Sequence, residues 1–283
     1  MKILIFGKGY IGNRCKDAWG SEAVLSDRMI ETYSDALEEI RKHNPDAVLN
    51  AAGATGRPNV DWCDEHPMET ILSNTLLPIM IARACQESGV YFLHMGSGCI
   101  FYGKSQHADG AWREDDFGNP LPTYSRSKYA ADLVLSTLKN TCIARIRMPI
   151  DSVPGERNLI NKLAKYKQIA DVENSVTIVD DMIPAFYEMM RLRAEGIFHV
   201  VNPGSIKHKE ILDLYKELVD PNHACEWITE QDLVKSGLAS KARSNNILNS
   251  DRLLALGIHL RPVKEALRDV MEKYAKNINS GGI

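Results

Sequence analysis

The chain has no C-x-x-C pair, no block of basic residues, no apolar run of membrane-spanning length and no internal repeat. Its six cysteines (Cys15, Cys63, Cys85, Cys99, Cys142 and Cys225) lie far apart, with no His-rich segment beside them. That spacing disfavours a zinc site and a disulfide framework and points to a reducing, cytosolic compartment. Basic and acidic residues are scattered and nearly balance, 34 against 37, so neither nucleic acid nor an anionic membrane is an expected partner. No apolar stretch approaches the roughly 18 residues of a membrane span, and the opening MKILIF meets Gly7 too soon to form the core of a secretion signal. Neither an H-E-x-x-H pair nor a carboxylate cluster is present, so no metal is expected. What remains is an ordinary globular composition, 44% apolar and 25% charged over 283 residues, enough for one large or two modest domains. The closing NSGGI reads as a frayed tail.

Strand-like and helix-like stretches alternate through the first half. Strands are expected at residues 2–6, 23–25, 47–50, 91–95 and 143–147, with helices at 12–19, 34–43, 68–88 and 125–138. This rhythm predicts an α/β chain with a Rossmann-type, doubly wound parallel sheet. Pro78 should kink or divide the third helix. After about Met148 the rhythm changes to helices at 159–166, 207–219, 230–236 and 263–275 and short strands at 176–179 and 198–201. We therefore expect an NAD(P)-binding domain over 1–148 and a smaller α+β substrate-binding lobe over 149–283, with some chain crossing back to the sheet.

GKGYIG, with Gly7, Gly9 and Gly12, fits G-x-G-x-x-G between a strand and a helix. Gly7 permits the tight turn, Gly9 lets a pyrophosphate approach the backbone, and Gly12 lets the helix pack closely. Lys8, Tyr10 and Ile11 share this loop. The end of the second strand reads Ser26-Asp27-Arg28. Ser26 and Arg28, with Lys8, suit the 2′-phosphate of NADP, whereas Asp27 suits the free diol of NAD; NADP is favoured and NAD stays open.

Tyr124 and Lys128 stand one helical turn apart, so both can face one side of a helix. A tyrosine with an ordinary pKa of about 10 is a sluggish acid at neutral pH, and a nearby ammonium should lower that value. Ser97, just beyond the strand at 91–95, can offer a second hydroxyl to the same carbonyl oxygen. Cys99, two residues on, lies on the same side if the segment is extended, where a thiol could act as a base. The hydrogens on both carbons flanking a ketone are acidified by whatever stabilises charge on its oxygen, so one site could reduce and epimerise. His94 and His199 read as packed structural residues.

The glycine loop, the strand end Asn50-Ala51-Ala52-Gly53, Ser97 and Tyr124/Lys128 resemble the extended short-chain dehydrogenase/reductase superfamily. Four stretches, NAAGATGRPNVDWCDEH from Asn50, GSGCIF from Gly96, RNLINKLAKY from Arg157 and NSVTIVDDMIP from Asn174, resemble its dTDP-4-dehydrorhamnose reductase branch. They are most similar to the bifunctional 3,5-epimerase/4-reductases that close plant rhamnose synthases. The resemblance implies a reductase triad of Ser97, Tyr124 and Lys128, with Asn74 supporting its proton relay and Ala51, Ala52 and Gly53 on the cofactor. It implies Cys99 as the epimerisation base and Lys162, in Arg157-Asn-Leu-Ile-Asn-Lys162, as the partner acid. Leu159 and Asn161 depart mildly from the R-N-F-I-T-K pattern.

Arg57, Asn59, Asp61 and Trp62 follow the third strand on a loop and are candidates, with Asn158 and Asn202, for holding sugar or base. The expected reaction converts a nucleotide-linked 4-keto-6-deoxy-D-glucose to nucleotide-L-rhamnose. UDP is favoured as the carrier by the plant-type resemblance, with dTDP open. A reductase acting on already epimerised sugar is the near alternative, and a non-catalytic regulatory subunit, resembling that of methionine adenosyltransferase, is the distant one. A nucleotide sugar is the expected partner, supplied by a separate nucleotide-glucose 4,6-dehydratase, and homodimerisation is compatible with the sequence.

Overall fold

A computed structural model describes residues 1–57, 59–237 and 243–280; Pro58 and most of the closing NSGGI lie outside them. Two compact units interleave along the chain. The first comprises Met1–Ile100, Gly118–Arg145 and Phe186–Phe198, and the second Phe101–Phe117, Ile146–Ala185 and His199–Ile283.

A six-stranded parallel sheet is built from β1 (Ile3–Phe6), β2 (Ala23–Leu25), β3 (Ala47–Asn50), β4 (Tyr91–Ser97), β5 (Thr141–Ile146) and β6 (Gly196–His199), in the order β2-β1-β3-β4-β5-β6. Every residue of β1 and β3 is buried, as expected where helices cover both faces of a parallel sheet. Register places Phe6 beside Asn50 and Asn50 beside His94. The loop after β1, the segment after β3 and the end of β4 therefore emerge from one edge. The order reverses between β1 and β3, the switch point at which such sheets hold ligands outside their carboxyl ends.

Helices α1 (Tyr10–Trp19), α2 (Tyr33–His43), α3 (Leu77–Ser88) and α4 (Thr123–Leu135) follow the first four strands. Thr32 and Asp35 form a reciprocal capping box at the start of α2, and Asn44 ends it in the left-handed region at φ 41°. Ile40, Ile81, Cys85 and Leu135 from α2, α3 and α4 pack on Leu4, Val48, Phe92 and Ile143 of the sheet. The expected helix over 68–88 is divided, as the proline predicts. A short helix, Pro67–Ile71, runs into a π turn, Leu72–Leu76, before α3. Pro78 has no N–H for the carbonyl of Asn74, four residues back, and the chain takes up the defect by bonding the Leu77 N–H to Leu72.

In the second unit, α5 (Leu159–Lys165), α7 (His208–Leu218) and α8 (Val263–Asn279) enclose a core that includes Ile160, Ile178, Ile211, Leu267 and Met271. Gln168–Ala170 pairs with Glu226–Ile228, and Glu173–Asn174 with Ile206–Lys207. One expectation fails here, and one helix was not expected. Residues 176–179 form no strand: Ile178 makes an isolated bridge to Ile150, and Val179 opens a helix, α6 (Val179–Leu192). That helix holds Pro184 within it, and the proline and the β-branched residues before it conceal its start.

Candidate active site

The glycine loop follows β1, and two of its members are fixed by close approach. Gly7 lies at φ +108°, and a Cβ there would stand 2.4 Å from the Ala52 nitrogen. A Cβ on Gly12 would stand 1.9 Å from the Gly7 carbonyl oxygen. Gly9 is different, for no described atom lies within 4 Å of where its Cβ would be. It is the N-cap of α1, where no side chain caps the first turn. The Asn13 amide braces the loop by donating to the Lys8 and Gly9 carbonyls at 2.8 and 2.9 Å. An open backbone face at the positive end of a helix fits a diphosphate. Ile11 is buried in the core and has only its backbone to offer, while Tyr10 is half-buried.

The residues expected around a 2′-phosphate hold carboxylates instead. Ser26 is buried, and its hydroxyl donates to Glu39 at 3.2 Å. Arg28 forks between Asp35 and Glu38, and Lys8 pairs with Asp27. These last pairs are solvent-exposed and therefore weak, so an incoming phosphate could draw both cations from them.

The hydroxyls meet at the end of β4. Ser97 is buried, and its hydroxyl lies near enough to the Tyr124 hydroxyl to favour the phenolate. Cys99 is half-buried and close enough to Tyr124 for its charge to act on the phenol. The backbone between them is not extended. Gly98–Ile100 forms a single 3-10 turn in which the Cys99 N–H donates to the Ser97 hydroxyl at 3.2 Å. The turn, not strand alternation, brings the thiol round.

Tyr124 departs from expectation in a second way. Burial pushes its pKa up, the neighbouring Cys99 raises it further, and the Ser97 hydroxyl opposes them. The expected lowering by an ammonium does not occur, because Lys128 is engaged elsewhere. Its Nζ donates to the Met95 carbonyl at 2.7 Å and lies 3.3 Å from His94 Nε2. Burial lowers the Lys128 pKa to about 8, with Asp132 opposing. Asp132 is wholly buried and pairs with Arg145 at 2.8 Å.

The helix that carries Tyr124 is placed by its surroundings. Pro122 has no capping side chain, and Asp64, 59 residues earlier, takes over by accepting from the Thr123 N–H and hydroxyl, both at 2.8 Å. Asn74, in the π turn, spans Ala54 and α4. Its amide accepts from the Ala54 N–H at 2.8 Å and donates to the Ala54 carbonyl at 2.9 Å and to Ser127 at 3.2 Å. Thr75 adds a bond to the Ser127 carbonyl at 2.8 Å. Gly53 lies beside these groups, its missing Cβ 2.9 Å from Asn74 Oδ1 and 4.0 Å from Lys128 Nζ. Ser97, Cys99, Tyr124, Lys128 and Asn74 thus converge within the first unit. Ala51 donates its N–H to Phe6 and Ala52 to the Asn50 side chain.

The expected substrate contacts divide. Arg57 is exposed, Asn59 caps its own turn by accepting from the Asp61 N–H at 2.8 Å, and Trp62 stacks on His66 at 4.1 Å. Asn158 and Asn202 are 0% exposed, and their amides are spent on the fold. Asn158 caps α5 and donates to the Asp151 and Val153 carbonyls. Asn202 accepts from Ile178 and donates to Asp181 and to the Arg261 carbonyl. Both side chains serve the fold in this way. Lys162 is half-buried on α5 in the second unit. Sequence reasoning missed Asp64, Asp132 and Arg145, whose partners are remote in the chain, and treated His94 as packing alone.

A Rossmann-type unit that gathers Ser97, Tyr124 and Lys128 beside a glycine loop defines a short-chain reductase class of protein. Within that class, the profile of the RmlD substrate binding domain matches residues 1–276, and the chain belongs to that family. It is 35% identical over 275 residues, 94% of this chain and 90% of the relative, to the bifunctional dTDP-4-dehydrorhamnose 3,5-epimerase/dTDP-4-dehydrorhamnose reductase of Arabidopsis thaliana. It is 34% identical to a trifunctional UDP-glucose 4,6-dehydratase/UDP-4-keto-6-deoxy-D-glucose 3,5-epimerase/UDP-4-keto-L-rhamnose-reductase of the same plant, matching 94% of this chain but only 41% of that protein. Among solved structures, the L780 UDP-rhamnose synthase of Acanthamoeba polyphaga mimivirus superposes with a TM-score of 0.89 at 31% identity, covering 96% of this chain and 99% of that one. Among the described residues, no helix is long and apolar enough to cross a membrane.

Proposed function

We propose that this chain is an NAD(P)H-dependent enzyme that inverts C3 and C5 of a nucleotide-linked 4-keto-6-deoxy-D-glucose and then reduces C4, giving nucleotide-L-rhamnose. The observation that carries the reading is the cluster of Ser97, Tyr124 and Cys99 at the end of β4, with Lys128 buried behind it. Two hydroxyls converging on one point can both donate to a ketone oxygen as it gains charge. Tyr124 then gives its proton to O4, and its raised pKa suits a group that must stay protonated until that moment. Lys128, one turn further along the same helix, is the proposed source of charge or a proton for it. A bound nicotinamide supplies the hydride. The open face at Gly9 and the first turn of α1 hold its diphosphate, with Ala51 to Gly53 alongside. NADP is the favoured form, with Arg28 and Lys8 as the cations available to its 2′-phosphate.

The same oxyanion site acidifies the hydrogens at C3 and C5. Cys99, beside Tyr124, is the proposed base that removes them, and Lys162 is the proposed acid on the strength of the Arg157–Lys162 resemblance. UDP is the favoured carrier, on the names of the trifunctional plant relative and the mimivirus synthase, and a 4,6-dehydratase activity must supply the substrate. The intact Ser97, Tyr124 and Lys128 set argues against a purely regulatory role.

The test supplies UDP- and dTDP-4-keto-6-deoxyglucose with NADPH in deuterated water. Deuterium at C3 and C5 of a reduced product is expected, with UDP-sugar turned over faster. Cys99→Ala should abolish turnover of this sugar and spare reduction of the epimerised one. Reduction without label, or full activity of Cys99→Ala on the unepimerised sugar, refutes the epimerase half.

A further inference from the structure

His94 is a packed strand residue by sequence, but its hydrogen bonds constrain where its proton can be. Asn50 Oδ1 accepts from the Ala52 N–H at 3.1 Å, which turns the amide nitrogen toward His94 Nδ1, also at 3.1 Å. An imidazole nitrogen that accepts carries no hydrogen, so a neutral His94 holds its proton on Nε2. His94 is wholly buried, and burial and then Lys128 hold it neutral. Its Nε2 faces Lys128 Nζ at 3.3 Å, and Nζ donates onward to the Met95 carbonyl at 2.7 Å. An amine can accept from Nε2–H only while it is uncharged. With Lys128 neutral, each of the contacts Asn50–His94, His94–Lys128 and Lys128–Met95 pairs one donor with one acceptor, and the Ala52 N–H is satisfied too.

Protonation of Lys128 breaks this arrangement, since two N–H groups then face each other. It is restored if His94 moves its hydrogen to Nδ1 and Asn50 turns its amide to accept it, which takes the acceptor away from the Ala52 N–H. One proton is taken up, it resides on Lys128, and His94 stays neutral throughout. We propose that His94 is a positioning residue that couples the charge on Lys128, through its own tautomer and the Asn50 amide, to the Ala52 N–H in the segment facing the cofactor. The proposal rests on the reading of Lys128 as part of the reductase set. The other groups around this chain do not carry the switch. Asp132 faces Lys128 from its own helix and is paired to Arg145 on β5, Tyr124 responds to burial, Cys99 and Ser97 rather than to Lys128, and Phe92 stacks on His94 at 6.2 Å. The coupling places a second site of proton accounting behind Tyr124, in which a proton drawn from Lys128 strengthens the backbone that holds the loop.

The test follows His94 in the intact protein labelled with 15N-histidine, by long-range proton–nitrogen correlation between about pH 6 and about pH 10, with no substrate required. The Nε2–H tautomer is expected where Lys128 is neutral and the Nδ1–H tautomer where it is charged, with the change following the Lys128 titration. In Lys128→Met the Nε2–H form should persist throughout. A single tautomer across the titration, an imidazolium, or a switch that survives in Lys128→Met overturns the proposal. A tautomer switch in a protein that reduces no 4-keto sugar would instead leave the coupling standing and refute the reductase reading. In kinetics, His94→Phe should move the basic limb of the pH profile up by about one unit, as loss of a hydrogen-bond constraint on the neutral amine predicts. His94→Gln, whose amide can turn either way, should recover kcat without recovering the wild-type limb; an unchanged profile in both variants counts against the coupling.

Discussion

Asp64→Ala isolates how the site is held in place. Asp64 lies after β3, yet it accepts both the N–H and the hydroxyl of Thr123, at 2.8 Å each, where the helix bearing Tyr124 begins. Loss of an N-terminal cap costs about 0.5–2 kcal/mol, and loss of a negative charge from the positive end of a helix costs about 0.3–1 kcal/mol more. A total near 2 kcal/mol corresponds to a fall in Tm of roughly 4–8 °C for a unit of this size. The displaced first turn carries Tyr124, and a small misplacement of a proton donor lowers kcat by about tenfold or more. Thermal unfolding with steady-state NADPH oxidation measures both, and Asp64→Asn, which keeps one acceptor, should fall between. An Asp64→Ala protein with unchanged Tm and unchanged kcat would refute the claim that this carboxylate sets the helix.

Lys128→Met should be inactive yet more stable at neutral pH. The Lys128 pKa is depressed to about 8 in the folded protein against about 10.4 unfolded, so the unfolded chain binds more protons between those values and stability rises with pH across that window. The burial penalty, on the order of 3 kcal/mol, is fully present below about pH 8 and gone above about pH 10.4. Denaturation of both proteins at the two ends of the window should show the variant's advantage shrinking as pH rises. Gly12→Ala places a Cβ 1.9 Å from the Gly7 carbonyl oxygen and should abolish NADPH binding, read by fluorescence titration. Asn158→Ala should lower stability by about 1–3 kcal/mol by stranding buried backbone groups without changing the KM of the nucleotide sugar.

The parts of this account that were visible in sequence are those made by neighbours in the chain. The glycine loop needs only six consecutive residues, and β3 is a continuous buried run bounded by turn residues. Tyr124 and Lys128 are one turn apart on a single helix. What escaped was made by pairing across distance. Nothing in the sequence joins Asp64 to Thr123 or sets Asn50 beside His94; packing of one helix end on another makes the first pair, and the sheet register makes the second. The polarity of Asn158 and Asn202 suggested ligands, but a buried amide is as well suited to satisfying backbone at a helix cap or a chain crossing. Helix α6 went unseen because Val176 to Val179 has strand-like composition and Pro184 interrupts the helical period.

In the proposed mechanism one pair of hydroxyls, Ser97 and Tyr124, stabilises charge on O4 during both inversion and reduction. Its most direct test is exchange of the C3 and C5 hydrogens of UDP-4-keto-6-deoxyglucose with deuterated water in Tyr124→Phe, measured by NMR without NADPH beside the reduction rate with it. Both rates should fall together, reduction by about two to four orders of magnitude. Wild-type exchange in a variant that has lost reduction would contradict the claim and separate the two reactions.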